Sequence, residues 1–178
     1  MTEIETARLA LSHLSFDDAP FILTLLNDED FIKNIGDKNV RAIADAENYL
    51  KNGPIQSYEN FGFGLYRVSN KATGTPVGIC GLLKRETLPD VDIGYAFLPQ
   101  YCGMGYATES TCAVMAYAQN TLGLARIVAV VSPENEASKK VLHKLGLRYE
   151  KMIQLAPGDS ECMLFVPETS AAGTDELN

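Results

Sequence analysis

Around residue 100 the chain reads Leu98-Pro99-Gln100-Tyr101-Cys102-Gly103-Met104-Gly105-Tyr106-Ala107-Thr108, a turn between an alternating apolar segment and a helix-like one. A strand-to-helix turn leaves the first backbone N–H groups of the helix without partners, at the positive end of the helix dipole. Gly103 and Gly105 allow backbone angles that other residues resist, and they let an anion approach without meeting a Cβ. The turn therefore reads as an anion site, to which Gln100 adds a side-chain amide and Thr108 a hydroxyl. The alternative is that the two glycines only permit a tight turn. No Gly-Lys-Ser/Thr follows, so this is not a Walker loop. A dinucleotide fold would need a parallel sheet and an acidic residue about 20 positions further on.

Other residues could supply proton chemistry. Asn135-x-x-Ser138 opens a second helix-like segment, where Asn135 suits an N-cap and Ser138 offers a hydroxyl. Asp92 and Glu86 lie near an alternating segment. Asp92 points opposite to Ile93, either into solvent or toward a substrate as a general base. Glu109 is a favourable charge in the first turn of its helix, and His143 reads as a surface residue. Cys80, Cys102, Cys112 and Cys162 form no CxxC pair, and His13 and His143 are remote from them, so no zinc site, other metal or disulfide framework is expected. Cys102, close to a helix N-terminus, is expected to have a lowered thiol pKa, with no acyl-cysteine role.

These residues need elements to hold them. Arg8 to Leu14 is strand-like, and Ser15 with Asp18 starts a helix in the manner of a capping box. A second helix covers about Arg41 to Lys51 and stops at Gly53-Pro54. Phe61–Val68, Pro76–Leu83 and Asp90–Leu98 read as three strands of an antiparallel meander. Ala107, Thr111, Val114, Met115, Ala118 and Leu122 mark one face of a long helix. Ala125–Val131 is an unbroken apolar run, the form of a central strand covered on both faces. Glu134–Leu145 is a helix with Ala137, Val141, Leu142 and Leu145 turned inward, and strands near Leu147–Leu155 and Glu161–Pro167 close the chain. The order predicts a mixed, largely antiparallel α/β sheet flanked by helices, with one strand–helix–strand crossover over about residues 91 to 131.

The 178 residues, 46% of them apolar, suit a single domain, here 1–168, followed by a tail, 169–178, that has nothing to bury and is expected to be disordered. No apolar run reaches membrane-spanning length, and MTEIETARL has neither a basic patch nor an apolar core, so a cytoplasmic protein without membrane contact is expected. A net charge of −8 argues against direct nucleic-acid binding and suits a cationic partner such as an amine or basic peptide, or merely solubility.

Taken together, Gln100-x-x-Gly103-x-Gly105-x-Ala107, Asn135-x-x-Ser138 and Leu145-Gly146-Leu147 resemble the GNAT superfamily of N-acetyltransferases. The segments DIGYAFLPQYCGMGYATES, SPENEASKKVLHKLGL and TARLALSHL are most similar to its ribosomal-protein N-terminal acetyltransferase branch (RimJ/RimL-like), over residues 6 to 166. The resemblance implies the GNAT fold, acetyl-CoA as co-substrate, and direct transfer to a primary amine, either a protein N-terminus or a small molecule; relatives often pair as homodimers. By the same resemblance, backbone N–H groups of Cys102, Gly103, Met104, Gly105, Tyr106, Ala107 and Thr108 hold the pyrophosphate. Those of Phe97 and Leu98, at a strand bulge, receive the oxyanion. Asn135 contacts the pantetheine arm or an ordered water, and Ser138 lies near the sulfur. Two positions depart from the family. Leu142 stands where many members have a general-acid tyrosine, and neither Tyr106 nor Tyr149 is selected in its place. Ser12 stands where the branch often has an arginine, in a region close to the acceptor cleft in relatives; Phe31 to Ser57 is expected to form one wall of that cleft, with Asp37, Asp45 and Glu47 either solvated or substrate-binding. A domain that binds acyl-CoA without turnover is the alternative.

Overall fold

The computed structural model describes residues 2–168; the tail expected to be disordered, 169–178, lies outside them. The strands are β1 (Thr2–Glu5), β2 (Leu9–His13), β3 (Leu65–Asn70), β4 (Pro76–Leu83), β5 (Val91–Phe97), β6 (Ile127–Val131), β7 (Leu147–Ile153) and β8 (Cys162–Pro167). The helices are α1 (Ala19–Leu26), α2 (Glu29–Asn34), α3 (Ile43–Leu50), α4 (Gln56–Phe61), α5 (Tyr106–Asn120) and α6 (Glu136–Lys144). The eight strands form one sheet in the order β1-β2-β3-β4-β5-β6-β8-β7. All neighbours are antiparallel except β5 and β6, which the α5 crossover makes parallel. Among the described residues no helix is long and apolar enough to cross a membrane.

Alternation along the strands sends side chains to two cores. Val91, Ile93 and Tyr95 of β5 face α5 and α6, packing with Val68, Val114, Ala129 and Leu142. Ala96 and the residue after the strand, Leu98, face α1 and α3, with Ile22, Leu25 and Leu50. The long helix buries Tyr106, Ser110, Thr111, Val114 and Ala118 along one stripe. The hydroxyls of its buried serine and threonine are satisfied by the helix itself: Ser110 donates to the Tyr106 carbonyl at 2.8 Å and Thr111 to that of Ala107 at 2.6 Å.

The expected meander and crossover are present, and three local expectations are corrected. The first strand is preceded by the four-residue β1, which pairs with β2 through Thr2, Ile4 and Glu5. Gly53-Pro54 does not end the second helix. Lys51–Ile55 form a wide π turn that carries the chain into α4, where Pro54 lacks the N–H that a regular turn would require. Phe61 consequently belongs to α4 and the strand starts at Leu65. On α6, Leu142 is buried but Ala137 is exposed.

Candidate active site

β5 and β6 are hydrogen-bonded neighbours only at Val91↔Ile127 and Asp92↔Val128, although they continue to Phe97 and Val131. Beyond Asp92 the two parallel strands part, and the carboxyl end of each leads to a helix N-terminus, α5 or α6. An opening at the carboxyl ends of parallel strands is the usual place for a ligand in such sheets.

The pairing of β5 with β4 decides which backbone groups face that opening. The register runs without interruption from Gly78↔Phe97 to Leu83↔Asp92, so β5 has no bulge here. Leu98 donates its N–H to the Val77 carbonyl at 3.0 Å. In an antiparallel ladder alternate residues turn their N–H and C=O to opposite sides. Phe97 and Tyr95 therefore point theirs into the opening, while Ala96 and Leu98 spend theirs on β4. The expectation of paired donors at Phe97 and Leu98 is corrected on this point, because only Phe97 keeps a free N–H.

After Leu98, Pro99–Tyr101 make one 3-10 turn with Gln100 exposed, and exposed Cys102, Gly103, Met104 and Gly105 follow. Gly103 and Gly105 have φ of 76° and 79°, a left-handed conformation that side chains resist. A Cβ on Gly103 would meet nothing within 4 Å, so this side of the loop is open. The first main-chain bond of α5 runs from Glu109 N–H to the Gly105 carbonyl at 3.0 Å, which leaves the N–H groups of Tyr106, Ala107 and Thr108 without helical partners.

Arg8, a residue the sequence did not single out, braces this loop. Its guanidinium donates to the Met104 carbonyl at 2.9 Å, pairs with Glu109 at 2.7 Å and lies 4.7 Å from the centre of the Tyr106 ring. Burial disfavours the Glu109 carboxylate, but hydrogen bonds from Thr6 and from the Arg8 N–H and guanidinium outweigh it and hold its pKa below the ordinary value. A bare Glu109 would repel an anion at this helix end; Arg8 cancels its charge. The thiol of Cys102 behaves opposite to expectation: burial, then the charges of Asp30 and Asp28, push its pKa up, overriding the helix end.

Across the opening, the Asn135 side chain caps α6 by accepting from the Ser138 N–H at 3.1 Å. The Ser138 hydroxyl is 2.5 Å from the Tyr95 hydroxyl of β5. Burial pushes the Tyr95 phenol up to about 12, although the Ser138 bond pulls the other way. Leu142, one turn further along α6, is 2% exposed in the core. Tyr106 is buried with its hydroxyl accepting from Asn70 at 3.1 Å, and Tyr149 is exposed on β7. His143 is exposed and meets Phe165 edge-on.

Asp92 sits at the closed end of the opening, on the α1/α3 face, 1% exposed, and accepts from Arg85 Nε at 3.0 Å. Burial raises its pKa, and the Arg85 charge and hydrogen bond oppose that. Glu86 lies exposed in the following turn. Asp37 pairs with Arg41, and Asp45 caps α3 through the Arg41 and Ala42 N–H groups, so both are held locally. Ser12 lies opposite Arg67 of β3, which pairs with buried Asp18 at 2.8 Å; an arginine thus stands beside the position where the sequence lacks one.

The fold therefore brings Phe97, the loop 100–108, Asn135 and Ser138 around one opening, with Asp92 at its closed end on the other sheet face. Residues 8–148 match the family model described as an acetyltransferase (GNAT) domain. The N-acetyltransferase YoaA of Bacillus subtilis is 29% identical over 153 residues, 85% of this chain and 85% of that protein. The GNAT-family acetyltransferase of Bacillus anthracis superposes with a TM-score of 0.75 at 26% identity, covering 93% of this chain and 97% of its own. RimL, a ribosomal-protein alpha-N-acetyltransferase solved in complex with coenzyme A, has a TM-score of 0.77 at 16% identity over 90% of this chain and 94% of that one.

Proposed function

The chain belongs to the GNAT acetyltransferase family, and on that premise we propose that it moves an acetyl group from acetyl-CoA to a primary amine by direct attack. The observation that carries this reading is the parting of β5 and β6 beside the start of α5, where the N–H groups of Tyr106, Ala107 and Thr108 have no helical partners. The fit to the donor is steric and electrostatic: Gly103 leaves open space for a phosphate, and Arg8 neutralises the Glu109 charge at the helix end. Backbone N–H groups from Gly103 to Thr108, with the Gln100 amide, would hold the pyrophosphate; the Cys102 N–H, expected among them, instead closes the 3-10 turn on the Pro99 carbonyl at 3.2 Å. Asn135 would contact the pantetheine arm.

Bound acetyl-CoA supplies an activated acyl carbon and a thiolate leaving group. The Phe97 N–H would donate to the oxyanion. The Ser138 hydroxyl would donate to the departing sulfur, which leaves with the electron pair of the C–S bond once the C–N bond has formed and the oxyanion collapses to the amide carbonyl. Asp92, with its pKa raised by burial, would take the proton lost by the amine. A protein N-terminus, as for RimL, and a small amine are both within this reading.

Leu142 in the usual tyrosine position favours one rival, an acyl-CoA-binding domain without turnover. Thiol release from acetyl-CoA across N-terminal peptides, amino acids and polyamines decides between them. Release with one acceptor class supports the enzyme and names its substrate. Acetyl-CoA binding with no release from any acceptor supports the rival.

A further inference from the structure

Ser110 and Ser138 are both in helices, but only Ser110 turns its hydroxyl back onto the preceding carbonyls. Ser138 instead reaches out of α6, over 43 residues of sequence, to the hydroxyl of Tyr95 on β5. The bond crosses the region where β5 and β6 part. A hydroxyl oxygen accepts freely but carries one hydrogen, so its partner determines where that hydrogen can go. A phenol is a far stronger acid than an aliphatic alcohol and is the better donor of the two. With its pKa pushed up to about 12, Tyr95 keeps its proton through the neutral range.

We infer that Tyr95 is a positioning residue for the leaving sulfur: its hydroxyl donates to Ser138 Oγ and leaves the single Ser138 hydrogen directed into the opening. The inference rests on the reading of Ser138 given above. It also shows how the chain does without a hydroxyl at Leu142. That residue is sunk in the core one turn along α6, and the sheet supplies the hydroxyl instead. The pair orients a hydrogen bond and adds no covalent step.

The test compares Tyr95→Phe, Ser138→Ala and the double variant, using acetyl-CoA and the panel amine that gives the fastest thiol release, with acetyl-CoA affinity measured by calorimetry. The expected result is a kcat for Tyr95→Phe lower by about 10- to 100-fold, below the full range for a general acid, with acetyl-CoA affinity within about threefold of the parent. The double variant should be no slower than Ser138→Ala, since the tyrosine acts only through the serine. Wild-type kcat in Tyr95→Phe while Ser138→Ala is impaired overturns the inference and leaves the role of Ser138 standing. Wild-type kcat in Ser138→Ala overturns both. Parallel losses of affinity, Tm and kcat in Tyr95→Phe would make the tyrosine a structural brace and overturn the inference.

Discussion

The two helix entrances that flank the opening are built in opposite ways. At α5 the N-cap is Gly105, which has no side chain to accept from the helix, and the first N–H groups are left open. At α6 the N-cap is Asn135, whose side-chain Oδ1 accepts from the Ser138 N–H. One entrance keeps its donors for a ligand; the other spends a donor internally and presents a fixed side chain. Equivalent positions in the fold, each at the carboxyl end of a parallel strand, thus carry different chemistry because of one residue at the cap. A glycine there makes an anion cradle, and an asparagine makes a rigid mount.

The largest effect should come from closing the cradle. Gly103→Val places a β-branched side chain at a φ of 76° and in the space reserved for phosphate. Acetyl-CoA affinity should fall on the order of 100-fold, measured by calorimetry on protein whose circular dichroism shows it folded. Unchanged affinity would mean that the open N–H groups are not the binding site.

Next in size is the brace behind the cradle. Arg8→Ala should weaken acetyl-CoA binding by roughly 5- to 20-fold by exposing the Glu109 charge at the helix end. Adding Glu109→Gln should recover part of that loss. No recovery would show that Arg8 acts by holding the Met104 carbonyl, not by cancelling charge.

The smallest effect is expected at the mount. Asn135→Ala removes a cap worth about 1 kcal/mol, which for a chain of this size shifts Tm by about 2–4 °C. If the asparagine also contacts the pantetheine arm, acetyl-CoA affinity will fall with Tm. A Tm shift alone would confine it to capping.

Much of this arrangement is legible from local pattern. The alternation of Val91, Ile93, Tyr95 and Phe97 announces β5, the period of α5 announces its buried stripe, and the glycine spacing between them announces the cradle. Where reading failed, the deciding partner was remote. β1 has four residues, too few for a period to be recognised, and it exists because β2 is there to pair with it. Gly53-Pro54 is a stop by every local rule, yet Pro54 is buried inside a wide turn that runs on into α4. Phe97 and Leu98 are equivalent as residue types. The Val77 carbonyl separates them, leaving one N–H free and the other bound.

By itself, then, the sequence determined β2 to β8 and the helices α1, α3, α5 and α6 in their order, the glycine turn and the Asn135 cap, but not β1, α2 or α4, because each of the former depends on residues within a few positions of one another. Tertiary structure alone decided that β5 and β6 part after Asp92, that Arg8 reaches Glu109 across 101 residues, and that Tyr95 meets Ser138. The physical reason is range. Backbone preference and periodicity act over a turn or two of chain, whereas a hydrogen bond between distant residues exists only after packing has brought them within 3 Å.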